Sequence, residues 1–379
     1  MKPVVVLGSG LAGYTLVREL RKLDRMVAIT LISRDSADYY SKPMLSNAFA
    51  QGKSAATLVN TAASEMARQL DITVLQNTEV SGIQPELKQL QTSAAVIEYE
   101  RLVLALGADP IRLPLHGDAA AAVLSVNDLE DYARLRDLLV AAKQVAIIGG
   151  GLIGCEFAND LAVAGYGVTV IDPTAYPLSS LIPEQAGKQL LEPMEKLGVR
   201  WRFGAAVTAV DKLALGYMLT LADGSTLQAD VVLSAVGLRP RVELARVAGL
   251  TVNRGIVVDA QLRSSDAAIY ALGDCAEIEG RVLPYVLPIM HAARTLAQVL
   301  AGKDMRVTFP AMPVVVKTPA HPVTVVPVAR GAQGAWQLLA NGSGAKLGFF
   351  DAQNQLQGFA LTGEFTALRN EMTKQLSAG

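Results

Sequence analysis

Cysteine is scarce: Cys155 and Cys275 are the only two in 379 residues, and they lie far apart. Neither sits in a CxxC pair, so the usual dithiol redox motif is missing, and two cysteines so far apart argue against a disulfide framework. Such usage suits a reducing compartment, and a cytoplasmic location is expected. Histidine is scarcer in kind than in number. His116, His291 and His321 are too scattered to suggest a metal cluster, and no metal is expected. No run of 18 apolar residues occurs, so no membrane span is expected. The apolar opening Val4–Leu7 runs straight into glycines without a cleavage pattern, so it does not read as a signal peptide. Charge of either sign is not in excess: 34 Lys and Arg face 35 Asp and Glu, which gives no reason to expect nucleic acid or a polybasic membrane anchor. Aromatics make up 5%, but hydrophobic residues make up 51%, ample for buried parallel sheets in two or three domains.

The chain contains one pattern twice. Val4–Leu7 reads as a strand, residues 11–23 as a helix and residues 27–32 as the next strand, a βαβ unit of about 30 residues. A second strand, glycine turn, helix and strand follow at 144–148, 149–154, up to about 164, and 168–171. Gly8 and Gly149 are 141 apart (149 − 8), and LVLALG, ending at Gly107, returns as VLSAVG, ending at Gly237, 130 further on (237 − 107). Between these lie a helix at 61–71, hairpin-like strands at 80–100 and a helix at 128–142. A single helix is expected over 184–197, alternating strands over 199–227 and a helix over about 288–301. From Pro310 the pattern changes to strands and a hairpin, with a closing helix at 364–377. The fold class expected is α/β: two Rossmann-like domains, the second inserted into the first, and a small C-terminal α+β domain. The boundaries expected are 1–109 with 241–310, then 110–240, then 311–379.

Both turns are GxGxxG: Gly8-Ser9-Gly10-Leu11-Ala12-Gly13 and Gly149-Gly150-Gly151-Leu152-Ile153-Gly154. In such a loop the first glycine makes a tight turn, the second lets backbone approach a pyrophosphate, and the third lets helix and strand pack closely. One such loop is weak evidence; two, each after an apolar strand and before a helix, point to two dinucleotide sites. In the second unit the strand ends at Asp172, 18 residues after Gly154. A carboxylate there bonds both ribose hydroxyls and repels a 2′-phosphate, favouring NAD over NADP, unless it only makes an Asp-Pro turn. The matching residue in the first unit is Ser33, with Asp35 two residues on as the acid that reaches the ribose.

The two loops, with YYSKPMLS (39–46), LALGA (104–108), GLIGCEFAND (151–160), SAVGLRPR (234–241), NRGIVVD (253–259), IYALGDCAE (269–277), LPYVLPIM (283–290) and MPVVVKTP (312–319), cover almost the whole chain. Together they resemble the FAD-dependent, NADH-dependent reductases with two dinucleotide-binding domains, and within them the rubredoxin and flavorubredoxin reductases. The CxxxxC disulfide of the glutathione-reductase relatives is missing here. The resemblance implies FAD on the first loop and NADH on the second. It implies Gly8, Ser9, Gly10, Leu11, Ala12, Gly13, Ser33, Asp35, Ala105 and Gly107 around FAD, with Asp274 on the ribityl chain. Its NADH set is Gly149, Gly151, Leu152, Ile153, Gly154, Glu156, Asp172 and Gly237. Lys42 and Pro43 match a segment beside the isoalloxazine ring. Many relatives carry a lysine directly after LS; this chain has Asn47 there, which leaves Lys42 as the candidate charge opposite Glu156. Lys317 is similar to a residue approaching the flavin from the C-terminal domain, although a plain strand lysine would read the same. Lys42 and Glu156 are the candidate catalytic pair, and both cysteines read as small buried side chains.

The implied activity is that of a rubredoxin–NAD(+) reductase, with a rubredoxin-type iron protein as the one-electron partner. Lys42, Lys317 and Arg330 are candidates for a basic docking patch. Alternatives of the same chemistry are a ferredoxin reductase of an oxygenase system or an NADH oxidase; another class is a flavin- and NAD-binding redox sensor.

Overall fold

The computed structural model describes residues 2–329 and 331–377. Its chain is divided between two compact units. One comprises Met1–Lys42, Thr57–Asp109 and Leu238–Phe309; the other comprises Pro43–Ala56, Pro110–Gly237 and Pro310–Gly379.

The first unit is built on a parallel sheet with the order Ile269–Ala271, Arg101–Leu104, Val4–Leu7, Ile29–Ile32, Thr73–Leu75. Its register aligns Val4 with Ile29 and Arg101. The central strand reads VVVL and is buried along its whole length, as expected where both sheet faces are covered. Helix α1, Leu11–Leu23, follows the first glycine turn and packs beside the helix Val286–Leu300. The alternating stretch at 80–100 is a three-stranded antiparallel sheet, Val80–Gln84, Gln89–Thr92 and Val96–Glu98, turning at Pro85–Leu87.

The second unit repeats the scheme. A parallel sheet has the order Val199–Phe203, Gly167–Asp172, Gln144–Ile148, Val231–Ser234, and an antiparallel meander of Val207–Lys212, Tyr217–Leu221 and Thr226–Ala229 lies in the chain between its first and last strands. Helix α2, Leu152–Val163, follows the second glycine turn. Its residues Gly154 to Ala162 are all buried, so this helix has no solvent face through most of its length. The third sheet is antiparallel and C-terminal: Val314–Val316, Val323–Val326, Leu356–Thr362, Ala345–Phe350, Ala335–Asn341, with the helix Arg369–Ser377 after it.

One expected helix is broken. Instead of a single helix over 184–197, the chain forms Glu184–Lys188 and Leu191–Lys196. Pro193 has no N–H to donate to the carbonyl of residue 189, so the ladder cannot run through. The edge strand Ala335–Asn341 was not expected from the sequence. Its residues alternate poorly, with Leu338 and Leu339 both exposed across a bulge, which hides the period of two. Among the described residues no helix is long and apolar enough to cross a membrane.

Candidate functional site

The two glycine turns share one geometry. A Cβ on Gly13 would lie 1.9 Å from the carbonyl oxygen of Gly8, and a Cβ on Gly154 would lie 1.9 Å from that of Gly149. Each helix therefore starts closer to its strand than any side chain permits. The floor of each turn is duplicated as well. The Ala105 carbonyl lies beneath Gly8 and the Ala235 carbonyl beneath Gly149, which reproduces the offset of 130 (235 − 105). Beyond these floors, Gly107 and Gly237 both have positive φ.

The middle glycines behave differently. Gly10 and Gly151 are the N-caps of α1 and α2, both extended, and neither helix has a side-chain cap. A Cβ on either glycine would meet nothing within 4 Å. Uncapped helix N–H groups thus look onto open space at two places, with the positive end of a helix dipole behind each. This fits a pyrophosphate at both turns. Of the next residues, Ala12 is buried, whereas Leu11, Leu152 and Ile153 are partly or well exposed.

The strand ends place the acids. Asp172 Oδ2 accepts the N–H of Gly150 at 2.6 Å, and its Oδ1 accepts the N–H and hydroxyl of Thr174 at 2.8 and 2.5 Å. The residue both makes its turn and lies against the second glycine loop. In the first unit Ser9 occupies the position of Gly150 and Ser33 that of Asp172. The Ser9 and Ser33 hydroxyls are 2.9 Å apart, and both donate to Asp35 Oδ1, at 3.3 and 2.6 Å. Two hydroxyls thus bring a carboxylate to the first loop from two residues further along.

Asp274 follows Gly273, where a Cβ would lie 2.9 Å from the Cβ of Ala12; the segment therefore lies against the start of α1. Asp274 Oδ1 is buried with no hydrogen-bond partner. Burial pushes its carboxyl above the usual carboxylate range, while the charges of Lys42 and Arg241 work in the opposite direction. A buried acceptor without a donor costs stability in the empty chain, so this atom fits a ligand hydroxyl. The orphaned oxygen, the open N-caps and the Ser33–Asp35 pair together suit FAD in the first unit.

Glu156 is fully buried on α2, one turn into the helix and two residues past the second glycine loop. Its Oε1 accepts the backbone N–H of Lys317 at 2.8 Å, and its Oε2 accepts the Lys317 ammonium at 2.8 Å and the Ser46 hydroxyl at 2.5 Å. The Lys317 ammonium also donates to the carbonyl of Pro43. The charge opposite Glu156 is therefore Lys317, directly after the strand Val314–Val316, whereas Lys42 stands where its charge reaches Asp274. Asn47 carries no charge into this cluster; its amide reaches the Ser46 oxygen at 3.4 Å.

Residues 159 and 160 share a helix face with Glu156, at i+3 and i+4. Asn159 accepts the N–H of Ala320, and Asp160 accepts those of Phe49 and Ala50. Three polar anchors on one face, Glu156, Asn159 and Asp160, thus fasten both the 43–56 segment and the C-terminal sheet to α2. Neither Ser46 nor these two anchors was singled out from the sequence, although all three lie inside the motifs YYSKPMLS and GLIGCEFAND. The spacing of EFAND was the available signal. Arg330 lies outside the described residues.

Both cysteines are fully buried. Burial raises both thiols, Cys275 to about 11 and Cys155 further. In the native protein neither should react with Ellman's reagent at neutral pH, and two thiols should appear on unfolding. A fast-reacting native thiol would contradict the purely structural reading.

The pyridine nucleotide-disulphide oxidoreductase family model matches residues 2–299, and the rubredoxin binding C-terminal domain model matches residues 306–376. The rubredoxin-NAD(+) reductase of Alcanivorax borkumensis is 47% identical over 379 residues, covering 100% of this chain and 99% of that protein. The rubredoxin-NAD(+) reductase of Acinetobacter baylyi is 42% identical over 381 residues, covering 98% and 97%. Putidaredoxin reductase, solved as a covalent complex with putidaredoxin, matches with a TM-score of 0.89 at 25% identity, over 99% of this chain and 93% of that one. The chain belongs to the pyridine nucleotide-disulphide oxidoreductase family, in the branch of the rubredoxin-NAD(+) reductases.

Proposed function

We propose that this chain passes electrons from NADH, by way of a bound FAD, to rubredoxin. The observation that carries this reading is the pairing of two equivalent pyrophosphate cradles with a C-terminal segment that matches a rubredoxin-binding domain. Residues 1–109 and 241–310 hold FAD, residues 110–240 hold NADH, and residues 311–379 receive the partner protein. We place the protein in the cytoplasm, where two reduced thiols are stable.

A bound FAD would supply the redox chemistry, a two-electron hydride acceptor that can also give up electrons singly. The protein's own part is binding, orientation and charge. Gly8, Gly10 and Gly13 open the start of α1 to one pyrophosphate, and Gly149, Gly151 and Gly154 open α2 to the other. Ser9 and Ser33 hold Asp35, and Asp35 and Asp172 each present a carboxylate to an adenosine ribose. Asp274 accepts from the ribityl chain. Lys317, ordered by Glu156 and the Pro43 carbonyl, would supply a fixed positive charge of the kind that favours a reduced flavin. Lys42 adds positive charge beside Asp274.

Acceptor competition tests the function. With NADH as donor, rubredoxin should be reduced far faster than a ferredoxin or oxygen; a clear preference for either of the others would overturn the assignment. Uniformly slow turnover, together with an NADH-dependent change of oligomeric state, would instead favour a sensor.

A second expectation concerns the donor. Asp172→Ala should lower the preference for NADH over NADPH by roughly 10- to 100-fold, the factor for a lost hydrogen bond to a charged group of about 1.5–3 kcal/mol. An unchanged ratio of kcat/KM values would remove Asp172 from ribose recognition.

A further inference from the structure

Ser46 touches both members of the Glu156–Lys317 pair. Its side chain is buried, and its hydroxyl has a complete set of neighbours. It donates to Glu156 Oε2 at 2.5 Å, and it faces the donors Lys317 Nζ at 3.3 Å and Asn47 Nδ2 at 3.4 Å. A hydroxyl has one proton and two lone pairs, so these three contacts use it fully. The Pro43 carbonyl, at 3.5 Å, is the competing acceptor for the proton, and the shorter bond to a carboxylate is the stronger.

The ammonium of Lys317 has three N–H donors, and three oxygens surround it: those of Pro43, Ser46 and Glu156. Two acceptors leave such a group able to turn about the axis between them; a third fixes its direction. Lysine is a compact charge on a flexible four-carbon stem, so its direction has to come from its surroundings. Ser46 is the acceptor that also touches the carboxylate, which couples the direction of the ammonium to the position of Glu156. Asn47 adds to the arrangement from the side. Its amide occupies the remaining lone pair of Ser46 and brings no charge to compete with Lys317.

We propose that Ser46 is the positioning residue of this pair, fixing the direction of the Lys317 ammonium through one hydroxyl shared with Glu156. The inference builds on the reading that the pair serves flavin reduction, and its first test needs neither NADH nor rubredoxin. In the FAD-loaded full chain, amine acylation of Lys317 is followed by mass spectrometry, with the exposed Lys22 as internal reference. Ser46→Ala should speed labelling of Lys317 relative to Lys22 by about 10-fold, the low end for one lost hydrogen bond to a charged group. Ser46→Thr, which keeps the hydroxyl, should restore the original ratio. Should the alanine variant fail to fold, Ser46→Cys keeps the size, weakens the hydrogen bonds and should raise the ratio in the same direction. An unchanged ratio, or an equal rise at Lys22, overturns the inference. The second readout is bleaching of the flavin by NADH, which should slow in Ser46→Ala with the NADH dissociation constant unchanged. A shifted labelling ratio with bleaching at the original rate supports the positioning role and counts instead against the part given to the pair in flavin reduction.

Discussion

Asp274→Ala should purify with little or no flavin, its FAD affinity lower by roughly 10- to 100-fold. The factor follows from losing a hydrogen bond to a charged acceptor, about 1.5–3 kcal/mol. The same substitution should leave the flavin-free chain at least as stable as the unsubstituted one. The reason is the orphaned Oδ1: the empty chain carries a buried acceptor without a donor, and alanine removes it. The sign of the pH dependence follows from the raised carboxyl. A folded chain that holds this proton more tightly than the unfolded chain gains stability at low pH. It loses that gain as the pH rises from the ordinary aspartate value towards the raised folded one. The stability advantage of Asp274→Ala in the flavin-free form should therefore grow across that window and vanish below it. Flavin content by absorbance and thermal melting of the flavin-free protein check both halves. An alanine variant that keeps its flavin would contradict the role of Asp274.

Lys317→Ala should be the most damaging change in the second unit. Glu156 is fully buried, and losing the ammonium leaves it only the Ser46 hydroxyl and a backbone N–H. Removing one partner of a buried pair costs about 3–5 kcal/mol, and the partial exposure of the Lys317 side chain, 31%, brings the expectation down to about 1–3 kcal/mol. Glu156→Gln in the same chain should recover part of this loss, because the stranded charge disappears, with a coupling of about 1 kcal/mol in a double-mutant cycle. Reduction of the flavin by NADH should slow by about 100-fold, the scale of losing one preorganised charge-stabilising donor. Additive stabilities for the two changes would show that the residues act separately.

How much of this was legible in the sequence depends on distance along the chain. The glycine turns were legible because each glycine answers a local demand, a close approach or an open helix end, set within six residues. The repeat of LALG as SAVG at one offset was legible as well; that their alanines land under Gly8 and Gly149 is visible only in the fold. The departure at Ser33 was visible, and so was Asp35; what the sequence did not show was that Ser9 and Ser33 hold that acid together. The pair at Glu156 was the hardest to read. Its partner lies 161 residues away, and Asn47, standing where many relatives carry lysine, turned attention to the nearby Lys42. Only packing shows that the charge enters from the end of a C-terminal strand. The break in 184–197 comes from Pro193, which an otherwise helical pattern masks.

The central claim is a two-stage transfer, and anaerobic rapid mixing observes both stages. NADH should bleach the flavin of the purified protein, and rubredoxin mixed in afterwards should restore the flavin colour while losing its own ferric absorbance. Two rubredoxins should be reduced for each NADH, since one hydride carries two electrons and the iron protein takes one. A flavin that NADH bleaches but rubredoxin does not recolour faster than buffer alone would contradict the account.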